Sequence, residues 1–149
     1  QGEDIDLDHS TIEIGKGKII QKGSKIAYLV FGTLLNVVEK VAKRNGATLI
    51  DMRFVKPIDE ALIIDICNTH DYIFTVEDNV ILGGAGTAVN EVMMKYSLKN
   101  NIVNIGVPDK MIPHGSQDEI LSELGLDEIG IERITNNHVD EMVEITSKN

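Results

Sequence analysis

The chain has 149 residues, of which 42% are hydrophobic, so we expect a single domain with an ordinary core. Its formal net charge of −10 argues against nucleic acids and anionic membranes as partners, because both are bound through Lys and Arg. The single cysteine, Cys67, excludes an intrachain disulfide and a multi-cysteine metal site, and it favours a reducing, cytoplasmic location.

The first half of the chain alternates between strand and helix patterns. Residues 1–16 are acidic and aperiodic, and we interpret them as the remnant of an interdomain linker before a domain over residues 17–149. Gly17–Gly23 predicts a short edge strand. Ser24–Gly32 is a nearly continuous apolar run, which is typical of a strand buried on both faces.

A helix capped by Thr33 is predicted next, followed by further alternation. The expected elements are a helix over Thr33–Gly46, a strand over Ala47–Val55, a helix up to His70 capped by Asp59, a strand over Asp71–Asp78 and a helix over Ala85–Asn100.

The last third predicts one more strand and two helices. Asn101–Pro108 predicts the strand, and Ser116–Gly125 predicts a short helix with the spacing of a capping box. A final helix begins near Asp127 and is expected to be weakened at Gly130. This alternation predicts an α/β fold, a three-layer α/β/α arrangement around a mostly parallel sheet of about five strands with one short edge strand.

The segment "EDNVILGGAG", Glu77–Gly86, has the strand–glycine loop–helix order of many phosphate-binding sites. The dinucleotide fingerprint G-x-G-x-x-G fails here, because Val89 stands where the third glycine belongs. A G-x-x-x-x-G-K-[ST] loop is missing from the sequence. We therefore favour the interpretation that Gly83, Gly84 and Gly86 let a helix start pack closely against backbone.

Metal and nucleophile chemistry find little support in the sequence. The four histidines are scattered and no two are spaced to share a helix face; they are His9, His70, His114 and His138. The G-x-S-x-G motif of a serine nucleophile does not occur. We predict no metal ligands, and we interpret Cys67 as a packing residue because isoleucines surround it in the sequence.

Charged residues follow the predicted strands. The carboxyl ends of parallel strands line one crevice, so "DMRFVKPID" and "TVEDN" are expected to bring Arg53 near Glu77. We predict an ion pair between them. A ligand site at the same place is the alternative.

Several segments together resemble the carboxyl-terminal domain of the 1-deoxy-D-xylulose-5-phosphate synthase family. They are "ATLIDMRFVKPIDEALI", "TVEDNVILGGAGTAVNEVM" and "NIGVPDKMIPHGSQDEILSELGLDEIGI". The resemblance extends from about Ile14 to Arg133. Related domains end transketolase and the beta subunit of pyruvate dehydrogenase.

The resemblance implies a parent enzyme of isoprenoid-precursor and thiamine biosynthesis. That enzyme condenses pyruvate with glyceraldehyde 3-phosphate on thiamine diphosphate and magnesium. Its family binds the cofactor through a GDG motif in an amino-terminal domain and activates it with a glutamate from a middle domain. This sequence has no GDG, so no catalytic, cofactor-binding or metal-binding residue is assigned.

The resemblance also implies a structural role in which this domain packs on the missing amino-terminal and middle domains and contributes to a homodimer. The candidate structural or interface residues are Arg53, Asp59, Glu77, Gly83, Gly84 and Gly86. Alternatives remain open: a free-standing module that binds a small molecule or phosphate at the strand ends, an interaction domain, or the last domain of another transketolase-superfamily member.

Overall fold

A computed structural model describes residues 11–109 and 116–148 of the chain. The described part contains five strands and five helices. In chain order they are β1 (Lys18–Gln21), β2 (Lys25–Phe31), α1 (Leu35–Asn45), β3 (Thr48–Asp51), α2 (Glu60–Thr69), β4 (His70–Val80), α3 (Ala85–Lys95), β5 (Asn101–Val107), α4 (Gln117–Glu123) and α5 (Glu128–Ser147). Strands and helices alternate from β2 to α4.

The five strands form one sheet in the order β1-β3-β2-β4-β5. Strands β2 to β5 are parallel, and β1 lies antiparallel to β3 at one edge. The chain moves from β2 to β3 on one side and later from β4 to β5 on the other. Because right-handed crossovers in opposite directions place their helices on opposite faces, the sheet is covered on both sides.

Two apolar clusters fill the space between the sheet and its helices. One cluster joins β2, β3 and β4 to α2 and α3, and the other joins the sheet to α1 and to the start of α5. Both faces of β2 are therefore buried, which explains its continuous apolar sequence. The predicted three-layer α/β/α fold with a mostly parallel five-stranded sheet and a short edge strand is confirmed.

Polar contacts attach α5 to the rest of the domain. The buried hydroxyl of Tyr28 on β2 lies 2.8 Å from the hydroxyl of Thr135 on α5. At the surface, Arg44 of α1 pairs with Glu128 at 3.1 Å and with Glu132 at 3.0 Å. No helix in the described ranges 11–109 and 116–148 is long and apolar enough to cross a membrane.

Some predicted boundaries differ from the structure. The N-cap of α1 is Leu34 and not Thr33, and no side chain caps this helix. α5 passes through Gly130 without a break. A Cβ at Gly130 would meet the backbone of Gly125, so the glycine permits a close crossing where the sequence suggested a weak point.

Cys67 belongs to the apolar cluster beneath α2, and the residue is 7% exposed. Burial raises its pKa to about 11, so almost no reactive thiolate is present at neutral pH. This agrees with its interpretation as a packing residue.

We expect Cys67 in the folded chain to react with an aromatic disulfide reagent at pH 8 at least about 100-fold more slowly than in urea. A thiol whose pKa is raised to about 11 has about a hundredth of the thiolate of an exposed thiol at this pH. The measurement is the rate of thiol release followed by absorbance. Equal rates with and without urea would contradict the buried placement.

Candidate functional site

A crevice opens at the carboxyl ends of β2 and β4, where the chain's path across the sheet reverses direction. Open α/β folds bind ligands at this kind of switch point. The crevice has a volume of about 310 Å³. It is lined by Phe31, Gly32, Val55, Glu77, Asp78, Asn79, Gly83, Gly84 and Ala85.

Glu77 forms part of the floor of the crevice and is only 2% exposed. Its carboxylate accepts hydrogen bonds from the backbone N–H of Ala85 at 2.8 Å and from that of Gly86 at 3.0 Å. These are the first residues of α3, where unpaired N–H groups and the helix dipole favour a negative charge. Glu77 therefore takes the place that a phosphate would occupy at this helix start.

Gly84 and Gly86 allow this close approach. A Cβ on Gly84 would overlap the Glu77 carboxylate and the backbone oxygen of Val80. A Cβ on Gly86 would come within 2.5 Å of the Thr75 hydroxyl. Gly83 differs, because it has a φ of 74° and nothing within 4 Å of the Cβ position. Gly84 and Gly86 are therefore required because a side chain would not fit, whereas Gly83 is required for its left-handed backbone conformation.

Asp78 stands beside Glu77 and is exposed on the crevice wall. Its Oδ2 accepts a hydrogen bond from the Thr33 hydroxyl at 2.6 Å and from the Thr33 backbone N–H at 2.8 Å. Partial burial alone would raise the pKa of Asp78, but the hydrogen bonds from Thr33 outweigh it and the pKa is lowered. Asp78 thus holds the loop that precedes α1.

The crevice is therefore acidic. Glu77 accepts hydrogen bonds from the amides at the start of α3, and Asp78 accepts from the backbone N–H and the hydroxyl of Thr33 in the loop before α1. None of the described residues that line the crevice is Lys or Arg. A phosphate entering this lining would meet two carboxylates and no cation from the described residues. This geometry favours the packing interpretation of the glycine loop over phosphate binding.

The predicted ion pair between Arg53 and Glu77 is wrong. Arg53 instead pairs with Asp51, with Nε 3.4 Å from the carboxylate. The backbone N–H of Arg53 also donates to Asp51 at 3.2 Å. Strand β2 lies between β3 and β4, so the strands that lead to the two predicted partners are two spacings apart, about 10 Å.

Asp59 caps α2, as expected, by accepting a hydrogen bond from the backbone N–H of Leu62. The same carboxylate accepts a hydrogen bond from the backbone N–H of Gly17 at 3.1 Å and lies 3.7 Å from the ammonium of Lys16. The sequence did not indicate this second contact. It fixes the segment before β1 against the start of α2.

The two histidines in the described part of the chain lie apart. Within residues 11–109 and 116–148, no three His, Cys, Asp or Glu side chains could share a metal ion. His70 binds the Thr48 hydroxyl at 2.8 Å, and His138 packs edge-on against Tyr72 and Phe74. His9 and His114 lie outside the described residues.

The lowered pKa of Asp78 predicts a loss of stability in acid. A group whose pKa is lower in the folded state stabilises the fold above its unfolded pKa, and this contribution disappears as pH falls through its folded pKa. We therefore expect the difference in unfolding free energy between the wild-type chain and Asp78→Asn to be constant above about pH 5 and to shrink below about pH 4. Urea titrations at several pH values test this, and a constant difference down to pH 2 would contradict it.

The fold and the crevice define a class: an open α/β domain with a mostly parallel sheet, whose switch point holds its own carboxylates. The transketolase, C-terminal domain family model matches residues 15–131. The chain belongs to this family.

Curated relatives agree with the assignment. The chain is 52% identical over 121 residues to 1-deoxy-D-xylulose-5-phosphate synthase of Escherichia coli (strain SMS-3-5 / SECEC), covering 81% of this chain and 20% of the relative. It is 47% identical over 138 residues to the synthase of that name from Vibrio campbellii, covering 93% and 22%. The chain thus spans about a fifth of the length of these relatives.

The structural similarity concerns the fold. A chain described as "Split gene transketolase, inactive beta4 tetramer" superimposes with a TM-score of 0.78 at 24% sequence identity, covering 85% of this chain and 43% of that chain.

Proposed function

We propose that this chain is the carboxyl-terminal domain of a 1-deoxy-D-xylulose-5-phosphate synthase. The observation that carries the proposal is 52% identity over 121 residues to such a synthase. The parent enzyme would condense pyruvate with glyceraldehyde 3-phosphate using thiamine diphosphate and magnesium. Residues 1–16 would belong to the connection from the middle domain, and a cytoplasmic location, supported by the single cysteine, is part of the proposal.

We further propose that the domain's role is to pack on the preceding domains and to contribute to the dimer, without catalysis of its own. The crevice supports this role. Its helix-start amides are bonded to Glu77, and its carboxylates would repel the diphosphate of the cofactor. Arg53, Asp59, Glu77 and the glycines Gly83, Gly84 and Gly86 then act in the fold or its contacts.

Two measurements test this function. The isolated chain, supplied with both substrates, thiamine diphosphate and magnesium, is expected to form no product. A chimera in which the chain replaces the homologous part of the Escherichia coli synthase is expected to be active. Product formed by the isolated chain would overturn the non-catalytic role, and an inactive, unassembled chimera would overturn the assignment to the synthase.

Titration calorimetry separates this proposal from a free-standing binding module. We expect no heat when thiamine diphosphate, a nucleotide or a sugar phosphate is added to the isolated chain. Saturable heat from one of these ligands, lost in a variant of the crevice, would favour the binding module instead.

A further inference from the structure

The carboxyl ends of β3 and β4 form a surface that combines exposed apolar side chains with the acidic crevice. We call it the strand-end face and define it by Val55, Asp78, Asn79, Leu82 and Gly83. Leu82 is 74% exposed and Val55 is 39% exposed. Exposed apolar side chains grouped around a concave site are typical of an interaction surface.

The segment that leads into the domain lies at this same end of the sheet. Lys18, the first residue of β1, pairs with Asp51 at the carboxyl end of β3. Just before it, Gly17 is bonded to Asp59, and Gly15 packs against Pro57. The described segment before β1 therefore enters the sheet at the same end as the strand-end face.

The charge of the crevice indicates what kind of side chain fits it. Both hydrogen bonds from Thr33 end on Oδ2 of Asp78, and Oδ1 receives none from another residue in the described part of the chain. The described residues that line the crevice include two carboxylates and no basic side chain. A Lys or Arg entering from outside would bind Asp78 and offset the charge of Glu77 below it.

From these observations we propose that the strand-end face is the docking surface for the preceding domain of the same polypeptide, which places a basic side chain against Asp78 and apolar side chains over Leu82 and Val55. This inference rests on the proposed function and specifies which surface performs the packing. The direction from which the chain arrives and the charge of the crevice support it.

The chain offers a matched pair of variants for the test. Leu82 precedes α3 at the strand-end face, whereas Met94 lies near the other end of α3 and is 80% exposed. Leu82→Glu and Met94→Glu both place a charge on an exposed apolar position. Thermal unfolding of the isolated chain should show similar midpoints for both, which confirms that neither substitution breaks the fold.

In the chimera with the Escherichia coli synthase, we expect Leu82→Glu to lower activity and domain association by about tenfold or more, because a charge is buried without a partner. Met94→Glu should remain within about twofold of the unsubstituted chimera. Equal effects of the two variants, large or small, would contradict the proposal that the strand-end face is the docking surface, but they would leave the synthase assignment intact. An unsubstituted chimera that is inactive and unassembled would overturn both.

The basic partner is tested separately with Asp78→Asn, which keeps the shape of the side chain and removes its charge. We expect association in the chimera to weaken by about three- to tenfold and to lose part of its dependence on salt. Unchanged affinity and unchanged salt dependence would contradict the proposal that a basic side chain binds Asp78.

Discussion

Replacing Glu77 by glutamine is expected to lower the free energy of unfolding by about 2–3 kcal/mol. Each hydrogen bond from a buried donor to a carboxylate contributes about 1.5–3 kcal/mol. Glutamine has nearly the same shape, but only one of its two terminal atoms accepts hydrogen bonds. One of the N–H groups of Ala85 and Gly86 would therefore face an amide nitrogen in a site that is 2% exposed.

The matched control is Glu91→Gln, since Glu91 lies on the same helix α3 but is exposed. Its unfolding free energy should stay within about 0.5 kcal/mol of the wild type. Urea unfolding followed by circular dichroism measures both variants at pH 7. If the two substitutions had the same effect, Glu77 would not be the anchor of the α3 start.

Gly84→Ala is expected to have the second large effect, about 3 kcal/mol, although it adds only one methyl group. The new Cβ would overlap the Glu77 carboxylate and the Val80 backbone oxygen, and neither can move without losing a hydrogen bond or bending β4. Gly83→Ala is the control at the neighbouring position. It places Cβ in open space and costs about 1–2 kcal/mol for its left-handed backbone.

Unfolding by urea ranks these two variants. We expect the midpoint of Gly84→Ala to fall well below that of Gly83→Ala, and its near-ultraviolet circular dichroism to change because Glu77 is displaced. The reverse order of midpoints would mean that glycine is required in this loop for its backbone conformation and not because a side chain would not fit.

The fold could be predicted from the sequence because its strongest signals are local. Ser24–Gly32 has no polar alternation, which indicates burial on both faces, and the structure places β2 in the middle of the sheet. Asp59 and Ser116 were identifiable as helix caps because a cap depends on residues three positions away.

The candidate site was predictable only in part, because its contacts depend on strand order. Arg53 and Glu77 both belong near the carboxyl edge, but the insertion of β2 between β3 and β4 separates them. The contacts of Glu77 with α3 and of Asp78 with Thr33 were missed for different reasons. The first could have been found from a glutamate eight residues before Ala85, the first residue of a glycine-rich helix start. The second joins β4 to a loop 45 residues away along the chain.

The antiparallel edge strand β1 has a mechanical consequence. A pull on the polypeptide before Gly15 would act first on the contacts of Gly17 and Lys16 with Asp59. It would then act on the pairs of Lys18, Ile19 and Gln21 with β3, starting from the strand-end side. The four parallel strands, joined by their helices, would bear no load until β1 had peeled away. Under such a pull this edge of the sheet would yield while the four parallel strands stay intact.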